Sequence, residues 1–275
     1  MKKVILLTGA TGFVGRHLLL QLINNGFLVR VVIRKGKEHL LPKNTLIESI
    51  IISDDLFKED ESFWKDACLN VDIFLHCAWY AEPGKYQESL KNFDCLNGTY
   101  EIIKGATEAK IKKFVGIGSC SEYEISNNPL TINSPLNPKT PYAACKASTY
   151  LMLSQWCSMN QIDFAWCRLF YLYGDGEHPS RLYPYINSQL DADMVVEMSS
   201  GKQIRDFLNV EEAARKIMKI TLNDSQGAFN ICSGKGISIK DFAENIADKV
   251  QKKYLLKFGV RKDNPFDPPF VVGLE

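Results

Sequence analysis

Short apolar runs alternate along the chain with longer runs whose apolar residues recur every three or four positions. The short runs have strand length, and uniformly apolar runs are typical of parallel strands that are buried on both faces. The alternation therefore predicts an α/β fold, in which helices cover both faces of a doubly wound parallel sheet. We expect strands at 3–8, 28–33, 46–52, 72–77, 113–118 and 162–168, and helices near 13–24, 60–68, 86–109 and 141–158.

The pattern loosens after about residue 170, where Pro, Gly and Tyr become frequent. A short strand, a helix from Glu211, a strand at Phe229–Cys232 and a helix from Ser238 are expected there. We predict a main domain at residues 1–170 and a smaller lobe at residues 171–275. Ligands of open α/β sheets bind at the carboxyl ends of the strands, so the lobe is expected to face those ends.

Three glycines, Gly9, Gly12 and Gly15, connect the first predicted strand to the first predicted helix. Glycines at such a bend permit a tight turn and let the backbone approach a diphosphate. The helix N-terminus adds N–H donors and a positive dipole end. Turn glycines without a ligand are the alternative. The order strand, glycine loop, helix and strand favours dinucleotide binding by the domain at 1–170.

The end of the second predicted strand indicates which dinucleotide is bound. NAD sites usually carry an acidic residue about 20 residues past the glycines, where it binds the ribose 2′-hydroxyl. Arg34 and Lys35 stand there instead, and a guanidinium with a lysine neighbour suits a 2′-phosphate. We therefore expect NADP, as NADPH, rather than NAD, with an exposed basic loop as the alternative. Asp55 follows the third strand and is expected to bind the adenine amino group or to serve only as a turn residue.

Composition and net charge exclude some classes of binding partner. Hydrophobic residues make up 45% of the 275 residues and the net charge is +1, so neither nucleic acid nor a membrane surface is expected as a partner. Two lysines before an apolar run resemble the start of a signal peptide, but the glycine loop interrupts that run. No stretch of the sequence approaches the ~18 apolar residues that a membrane-spanning helix needs. The eight cysteines contain no C-x-x-C pair, so we expect reduced thiols, a cytoplasmic location and no metal site.

Candidate acid–base chemistry lies in the segment TPYAACK. Tyr142 and Lys146 stand at i and i+4 and share a helix face, while Thr140 and Pro141 are favourable for the helix start. Tyrosine titrates near pH 10 in water, but a neighbouring ammonium group favours the phenolate. The hydroxyl of Ser119, at the end of an apolar strand, suits the task of holding a carbonyl oxygen. A solvated tyrosine–lysine pair without chemistry is the alternative.

Together these motifs resemble the extended short-chain dehydrogenase/reductase superfamily and, within it, the NAD-dependent epimerase/dehydratase family of nucleotide-sugar enzymes. The resemblance runs from residue 1 to about 240 and rests on TGATGFVG, HCAWYAEPGKY, GSCSEYE, YAACK, RLFYLYGDG and RDFLNVEEAA. It implies a Rossmann-type doubly wound parallel sheet with a smaller C-terminal substrate-binding lobe. It also implies that Tyr142 is the general acid/base and that Lys146 binds the nicotinamide ribose and lowers the pKa of that tyrosine. Ser119 would position the substrate oxygen, with Ser121 as its competitor.

The resemblance further implies the binding residues. The cofactor would contact Gly9, Thr11, Gly12, Phe13, Val14, Gly15, Arg34, Lys35, Asp55, Leu56, Ala78, Tyr142, Lys146 and Phe170. The substrate would contact Trp79, Tyr80, Ser119, Tyr171, Arg181 and Arg205. The arginine of the RDF motif would hold the substrate diphosphate, because a guanidinium binds phosphate oxygens in a bidentate manner. A surface arginine paired with an acid, and aromatic residues used only for packing, are the alternatives.

Departures from the family pattern indicate the reaction. Dehydratases place an aspartate and a glutamate directly after the serine or threonine, whereas Cys120 and Ser121 stand here and argue against dehydration. Tyr171 occupies a position that is usually asparagine in the sugar 4-epimerases. The HCAWYAEPGKY and GSCSEYE segments resemble those of reductases that act on 4-keto-6-deoxy sugar nucleotides. We therefore expect NADPH-dependent reduction of a C4 ketone.

Three alternatives stay open. The chain could be a 4-epimerase of a nucleotide sugar with bound NAD, a reductase of a non-nucleotide ketone, or a non-catalytic NADP-binding regulator, which the tyrosine–lysine pair disfavours. Family members commonly dimerise through the two long helices that correspond to 86–109 and 141–158, so a homodimer built on a four-helix bundle is expected. They also usually continue beyond this chain's last residues, so an incomplete substrate lobe is a further expectation.

Overall fold

A computed structural model describes residues 3–265 and 267–275 of the chain. Thirteen strands and seven helices lie in this part of the chain. The strands are β1 Val4–Thr8, β2 Leu28–Arg34, β3 Ile47–Ser53, β4 Ile73–His76, β5 Lys113–Ser119, β6 Asp163–Leu169, β7 Tyr171–Tyr173, β8 Val196–Glu197, β9 Ile204–Asn209, β10 Gly227–Ile231, β11 Gly236–Ser238, β12 Leu256–Lys257 and β13 Phe270–Val271. The helices are α1 Phe13–Asn24, α2 Glu61–Ala67, α3 Lys91–Glu108, α4 Pro141–Met159, α5 Leu182–Asp191, α6 Val210–Leu222 and α7 Ile239–Lys249.

Seven strands form one sheet in the order β10-β6-β5-β4-β1-β2-β3, and every pairing in it is parallel. This arrangement confirms the predicted Rossmann-type doubly wound fold. The chain leaves β1 toward β2 and β3, and later returns on the other side of β1 as β4. Such a reversal opens a crevice at the carboxyl ends of the two central strands, where ligands of these sheets bind.

Helices cover both faces of the sheet because the central strands are apolar on both sides. On one face, Leu7 of β1 packs with Leu18 of α1 and Ile217 of α6. On the other face, Leu6 of β1 packs in the cluster that contains Ile102 of α3. Successive residues of a strand point to opposite faces, so the neighbouring residues Leu6 and Leu7 of β1 pack in two separate cores.

The smaller lobe is built around β9, which pairs with β7, β11 and β13, and it also contains α5 and α7. The chain after residue 170 does not stay in this lobe, however. Helix α6 packs on the main sheet beside α1, and β10 extends that sheet by pairing with β6. The predicted division into 1–170 and 171–275 is therefore wrong for α6 and β10, because their apolar side chains are buried against the main domain.

Helix α3 begins later than the predicted helix at 86–109. The side-chain amide of Asn92 donates to the carbonyl oxygens of Tyr86 and Ser89, at 2.6 and 2.8 Å. These hydrogen bonds stabilise a turn before Lys91, so the preceding residues form a loop that extends from the end of β4.

In the part of the chain that the structure describes, no helix has both the length and the apolar character that crossing a bilayer requires. The eight cysteines all carry free thiols, and seven of them are buried. Burial raises the pKa of these thiols, as at Cys157, where it reaches about 12. The cysteines therefore act as small apolar side chains of the core.

Candidate active site

The glycine loop lies at the carboxyl end of β1, inside the crevice. Gly9 has a φ of +75°, and its carbonyl oxygen accepts a hydrogen bond from the N–H of Gly12 at 2.9 Å. A Cβ at Gly9 would lie 2.8 Å from the backbone nitrogen of Ala78, and one at Gly15 would collide with the carbonyl of Gly9. The ends of β1 and β4 can approach the start of α1 only because these positions carry no side chain.

The N-terminus of α1 is suited to an anion. No side chain of a described residue caps this helix, and its first turn contains no acidic residue. The ring of Phe13 packs edge-on against His17, and Val14 packs against the core. Because both side chains turn toward the protein, the backbone N–H groups at the end of the helix are the groups that can meet an anion. Thr11 lies half-buried in the same loop. The loop and the helix end therefore fit the diphosphate of a dinucleotide.

The residues expected at the adenosine end lie at the ends of β2 and β3. Arg34 and Lys35 are exposed, and neither side chain forms a hydrogen bond or ion pair with a residue that the structure describes. Both cations are thus available to an anionic ligand. Asp55 is exposed and accepts a hydrogen bond from the N–H of Phe57 at 3.2 Å, while Leu56 packs against the core. Asp55 therefore has the contact of a turn residue, and its contact with the adenine amino group stays a prediction.

Helix α4 begins as predicted, with Pro141 in its first turn and the Thr140 hydroxyl accepting from the N–H of Ala143 at 3.2 Å. Tyr142 and Lys146 both reach β5 from this helix. The tyrosine lies close enough to Ser119 for the serine to act on its pKa, and the Nζ of Lys146 donates to the carbonyl oxygen of Ile117 at 2.7 Å. The structure therefore brings together all three residues that the sequence singled out for catalysis.

Ser119 and Ser121 share a hydrogen bond, with 2.7 Å between their hydroxyl oxygens. The Ser119 hydroxyl also accepts from the N–H of Ser121 at 3.2 Å. Ser119 is the serine that acts on the pKa of Tyr142. The arrangement agrees with our preference for Ser119 as the residue next to the acid.

Burial is the largest influence on the pKa values of Tyr142 and Lys146. It raises the pKa of Tyr142, the neighbouring Tyr86 raises it further, and Ser119 opposes the shift. Burial lowers the pKa of Lys146 to about 8. The expectation that Lys146 lowers the tyrosine pKa is not met here, since its ammonium group is directed at Ile117 and at Trp79. Tyr142 is accordingly protonated at neutral pH, as an acid must be.

Arg205 is a buried cation rather than a surface arginine. Its side chain is 2% exposed, donates to the carbonyl oxygen of Ile204 at 2.9 Å and lies 3.6 Å from the Asp267 carboxylate. Its Nη2 atom has no hydrogen-bond partner in the described part of the chain. The guanidinium also lies 5.1 Å from the ring centre of Tyr171. Arg205 and Tyr171, two of the expected substrate-binding residues, thus lie side by side, and their contact with a substrate stays a prediction.

Tyr86, a residue that the sequence did not lead us to expect, lies between Arg181 and Tyr142. The ring of Tyr86 packs edge-on against the ring of Tyr142, with 4.7 Å between centres. The Arg181 guanidinium lies 5.5 Å from the centre of the Tyr86 ring. Tyr86 lies in the irregular loop before α3, where no hydrophobic period marks it.

The other expected binding residues differ in their surroundings. Trp79 packs its indole beneath the ammonium group of Lys146, at 3.8 Å. The Tyr80 hydroxyl donates to Glu82 at 2.9 Å, and its ring lies 4.7 Å from the ammonium group of Lys91. Phe170 is buried at the end of β6, in the cluster of Cys120, Tyr123, Leu130, Cys232 and Val271. Tyr80 therefore contacts residues of the outer loop and the start of α3, whereas Trp79 contacts Lys146.

The backbone of Ser119 is held by Glu122, a second residue that we did not predict. The Glu122 carboxylate accepts from the N–H of Ser119 at 2.7 Å, from Nε of Arg168 at 2.7 Å and from the indole of Trp166 at 3.1 Å. Burial raises the pKa of Glu122, and the charge and hydrogen bonds of Arg168 oppose the shift. The spacing S-x-x-E is that of a capping box, a signal by which the sequence could have identified the residue.

This network continues to the end of the described chain. Arg168 donates to the hydroxyl of Tyr123 at 3.0 Å, and that hydroxyl donates to the side-chain oxygen of Asn230 at 2.7 Å. The amide of Asn230 in turn donates to the carbonyl oxygen of Leu274 at 2.8 Å. The strand end that carries Ser119 is thus linked through β6 and β10 to the C-terminal residues.

Comparisons with known proteins agree with this geometry. Residues 5–232 match the sequence model of the NAD dependent epimerase/dehydratase family. The dTDP-6-deoxy-L-talose 4-dehydrogenase (NAD(+)) of Aggregatibacter actinomycetemcomitans is 24% identical over 276 residues, which cover 98% of each protein.

Two solved structures share the fold. One is a UDP-N-acetylglucosamine 4-epimerase from Methanobrevibacter ruminantium in complex with UDP-N-acetylmuramic acid. It has a TM-score of 0.83 and 27% identity, and the match covers 99% of this chain and 90% of that one. The other is the dTDP-glucose 4,6-dehydratase DesIV from Streptomyces venezuelae with NAD bound. It has a TM-score of 0.81 and 20% identity over 98% of this chain and 88% of that one.

The ion pair behind Ser119 can be tested by removing one partner or both. Arg168→Leu leaves the Glu122 carboxylate buried without its cation and should lower the free energy of unfolding by about 3–5 kcal/mol. Replacing both residues by leucine should restore much of that loss, because no unpaired charge then remains. Urea denaturation measures both effects.

Lys112→Ala provides the control, since its ion pair with Asp72 lies at the surface and should contribute only about 0–1 kcal/mol. A single Arg168→Leu variant as stable as the unaltered protein would show that the buried pair does not hold this strand end.

Proposed function

The chain belongs to the NAD-dependent epimerase/dehydratase family, and we propose that it reduces the 4-keto group of a nucleotide-activated 4-keto-6-deoxy sugar with NADPH. Within the extended short-chain dehydrogenase/reductase superfamily, it is an NAD(P)-dependent, oxidoreductase-type enzyme that modifies nucleotide sugars. The observation that carries the finer proposal is the placement of Ser119 and a protonated Tyr142 side by side, close enough for the serine to act on the pKa of the tyrosine. Cys120 and Ser121 follow this serine, so the acid and base of a dehydratase are absent from these two positions.

NADPH, when bound, supplies the hydride for the carbonyl carbon. The Ser119 hydroxyl donates a hydrogen bond to the carbonyl oxygen, and Tyr142 donates its proton to the same oxygen as negative charge develops there. Ser121 holds the Ser119 hydroxyl in place from behind. The ammonium group of Lys146 would hold the nicotinamide ribose of the bound cofactor, the role that remains for it because its charge does not lower the pKa of Tyr142.

The similarity to a sugar-nucleotide 4-dehydrogenase supports C4 as the reacting carbon. Oxidation of a C4 hydroxyl and reduction of a C4 ketone are the same reaction in opposite directions, so one constellation of residues serves both. That relative is named for NAD, and the DesIV structure contains NAD. The preference for NADPH in this chain is therefore supported by Arg34 and Lys35 alone.

Two buried or half-buried arginines support a nucleotide diphosphate as the part of the substrate that is recognised. Arg205 keeps one buried nitrogen without a hydrogen-bond partner among the described residues, as a phosphate-binding guanidinium would require. Arg181 lies beside Tyr86, next to the catalytic tyrosine. A reductase of a non-nucleotide ketone has no need of these cations.

A 4-epimerase is the second candidate, and the 27% identical epimerase structure favours it. An epimerase retains its NAD through an oxidation and a reduction, so it would interconvert sugars without consuming added NADPH. Purification with bound NAD would therefore distinguish the two candidates.

We also propose that the protein forms a homodimer through α3 and α4. Phe93 and Tyr100 of α3 and Leu151 of α4 are 49%, 42% and 55% exposed, whereas Ile103 is buried in the core. The exposed residues would be covered in a four-helix bundle with a second copy. A monomer mass in sedimentation equilibrium would contradict this proposal. The free thiols fit the expected cytoplasmic location, which stays a prediction.

The role of the tyrosine is tested by Tyr142→Phe. We expect the unaltered enzyme to oxidise NADPH with at least one member of a panel of dTDP-, CDP-, GDP- and UDP-linked 4-keto-6-deoxy sugars. Loss of the proton donor should lower kcat/KM by about 10²–10⁴-fold, because general acid catalysis is removed. NADPH absorbance measures the rate.

Tyr86→Phe is the matched control, since it removes a hydroxyl beside the site and keeps the ring that packs on Tyr142. It should retain most of the activity. Undiminished turnover by Tyr142→Phe would refute the assigned acid.

Cofactor preference is tested by Arg34→Ser. Loss of a charge-assisted hydrogen bond to the 2′-phosphate should raise the KM for NADPH by about 10–100-fold and leave the KM for NADH nearly unchanged. Lys37→Ser, an exposed position in the same loop, is the control and should change neither value appreciably. Equal KM values for NADPH before and after Arg34→Ser would exclude this residue as the 2′-phosphate ligand.

A further inference from the structure

We propose that Trp79 is a positioning residue for Lys146, whose ammonium group its indole holds through a cation–π interaction. The inference rests on the proposed function in so far as that function assigns Lys146 to the reaction. The contact between the two side chains is independent of that assignment. Trp79 was expected among the substrate-binding residues, so its contact with the lysine gives it a different role.

The contact has the geometry of a strong cation–π pair. The Nζ of Lys146 lies 3.8 Å from the centre of the Trp79 ring, well inside the ~6 Å limit for such interactions, and tryptophan is the most favourable ring. The same nitrogen donates to the carbonyl oxygen of Ile117 at 2.7 Å, and the ring of Trp166 lies at 5.9 Å. The lysine is only 4% exposed, so these groups replace most of its water.

The indole is itself fixed from its other edge. Its Nε1 donates to the side-chain oxygen of Asn92 at 2.9 Å, and Asn92 is fully buried. The amide of Asn92 is held by the carbonyl oxygens of Tyr86 and Ser89. Phe57 packs edge-on against the indole, with 6.3 Å between ring centres. Trp79 therefore cannot turn away from the lysine without breaking the hydrogen bond to Asn92.

Among the residues that the structure describes, no unpaired anion lies near the ammonium group of Lys146 to take the place of the indole. The titratable groups that face its ammonium group are His76, Cys77, Cys95 and Glu122. Burial lowers the pKa of His76 to about 3 and raises the pKa of Cys77 to about 12 and that of Cys95 to about 11, so all three are neutral near pH 7. Glu122 is engaged by Arg168. The electron-rich face of Trp79 is thus the group that offsets the buried positive charge.

The interaction has a consequence for pH dependence. Burial lowers the pKa of Lys146, and the indole face opposes this shift by favouring the charged form. A weaker ring, or none, lets the lysine lose its proton at lower pH. The proposed reduction needs the charged lysine, so its rate should fall above a pH near the lysine pKa, and that limit should move down when the ring is removed.

The first experiment compares the pH profiles of the unaltered enzyme, Trp79→Phe and Trp79→Leu. We expect the upper pKa of kcat/KM to fall in that order, with a total decrease of about 0.5–1.5 units for the leucine variant. If Trp79 only packs against its neighbours, both variants should lower kcat/KM at every pH, and the upper pKa should stay where it is in the unaltered enzyme. Thermal melting confirms that each variant is folded. If Trp79→Leu does not fold, Trp79→Phe, which keeps an aromatic ring, still tests the expected decrease.

The second experiment does not depend on activity. Tryptophan emission of the unaltered protein is followed from pH 6 to 9.5, and Trp79→Phe identifies the share that comes from Trp79. We expect that share to change with a midpoint near the lysine pKa of about 8, and the change to be lost in Lys146→Met. A Trp79 emission that does not respond over this range, or that responds equally in Lys146→Met, would overturn the inference.

The two experiments separate this inference from the proposed function. A fluorescence transition that requires Lys146, in a protein that oxidises no NADPH with any sugar of the panel, would support the Trp79 contact and count against the reductase. An active reductase whose upper pKa is the same in all three proteins would count against the Trp79 contact alone.

Discussion

The arrangement of the candidate site rests on the buried ion pair between the Glu122 carboxylate and Arg168. The carboxylate receives hydrogen bonds from the Ser119 backbone, from Trp166 and from Arg168, and it thereby joins the end of β5 to β6. Gly118 makes this possible, because a Cβ there would lie 2.5 Å from the Glu122 carboxylate and would collide with the Trp166 indole. A charge in this position is costly unless it is paired and fully hydrogen-bonded, and here both conditions are met.

The same exclusion of water sets the chemistry around this carboxylate. Burial keeps the proton on Tyr142 and weakens the hold of Lys146 on its own proton. Each buried charge of the site then has a defined counterpart. Glu122 is paired with Arg168, Arg205 lies near Asp267, and the lysine is placed between a carbonyl oxygen and an indole face. The fold thus holds a protonated tyrosine and a buried lysine beside the end of β5, and a buried arginine on β9 of the smaller lobe.

The sequence predicts those parts of the site that depend on neighbours along the chain. The glycine loop, the start of α4 at Thr140 and the spacing of Tyr142 and Lys146 are local patterns with a direct physical reason, and the structure confirms their placement. Contacts between distant segments are not written in such patterns. The packing of Tyr86 on Tyr142 and that of Trp79 on Lys146 depend on the path of an irregular loop.

The return of the chain to the main sheet is missed for the same reason. An apolar strand such as β10 has the same pattern whether it joins the main sheet or the lobe, so its partner β6 is revealed only by the fold. The alternative that Arg205 lies at the surface is wrong, because the residue is buried. The sequence could not show this burial, since β13 comes to lie beside Arg205 only when it pairs with β9. The Glu122 capping box is the exception, since its four-residue signal could have been read.

The most direct test of the central claim follows the hydride itself. The enzyme is incubated with NADPH that carries deuterium at the transferable nicotinamide position and with a 4-keto-6-deoxy sugar nucleotide that it turns over, and the product is examined by NMR and mass spectrometry. The account predicts one deuterium at C4 of the sugar for each NADPH oxidised. A product without deuterium at C4, or NADPH that stays unconsumed while the enzyme inverts C4 of a sugar nucleotide that carries a hydroxyl group there, would contradict it.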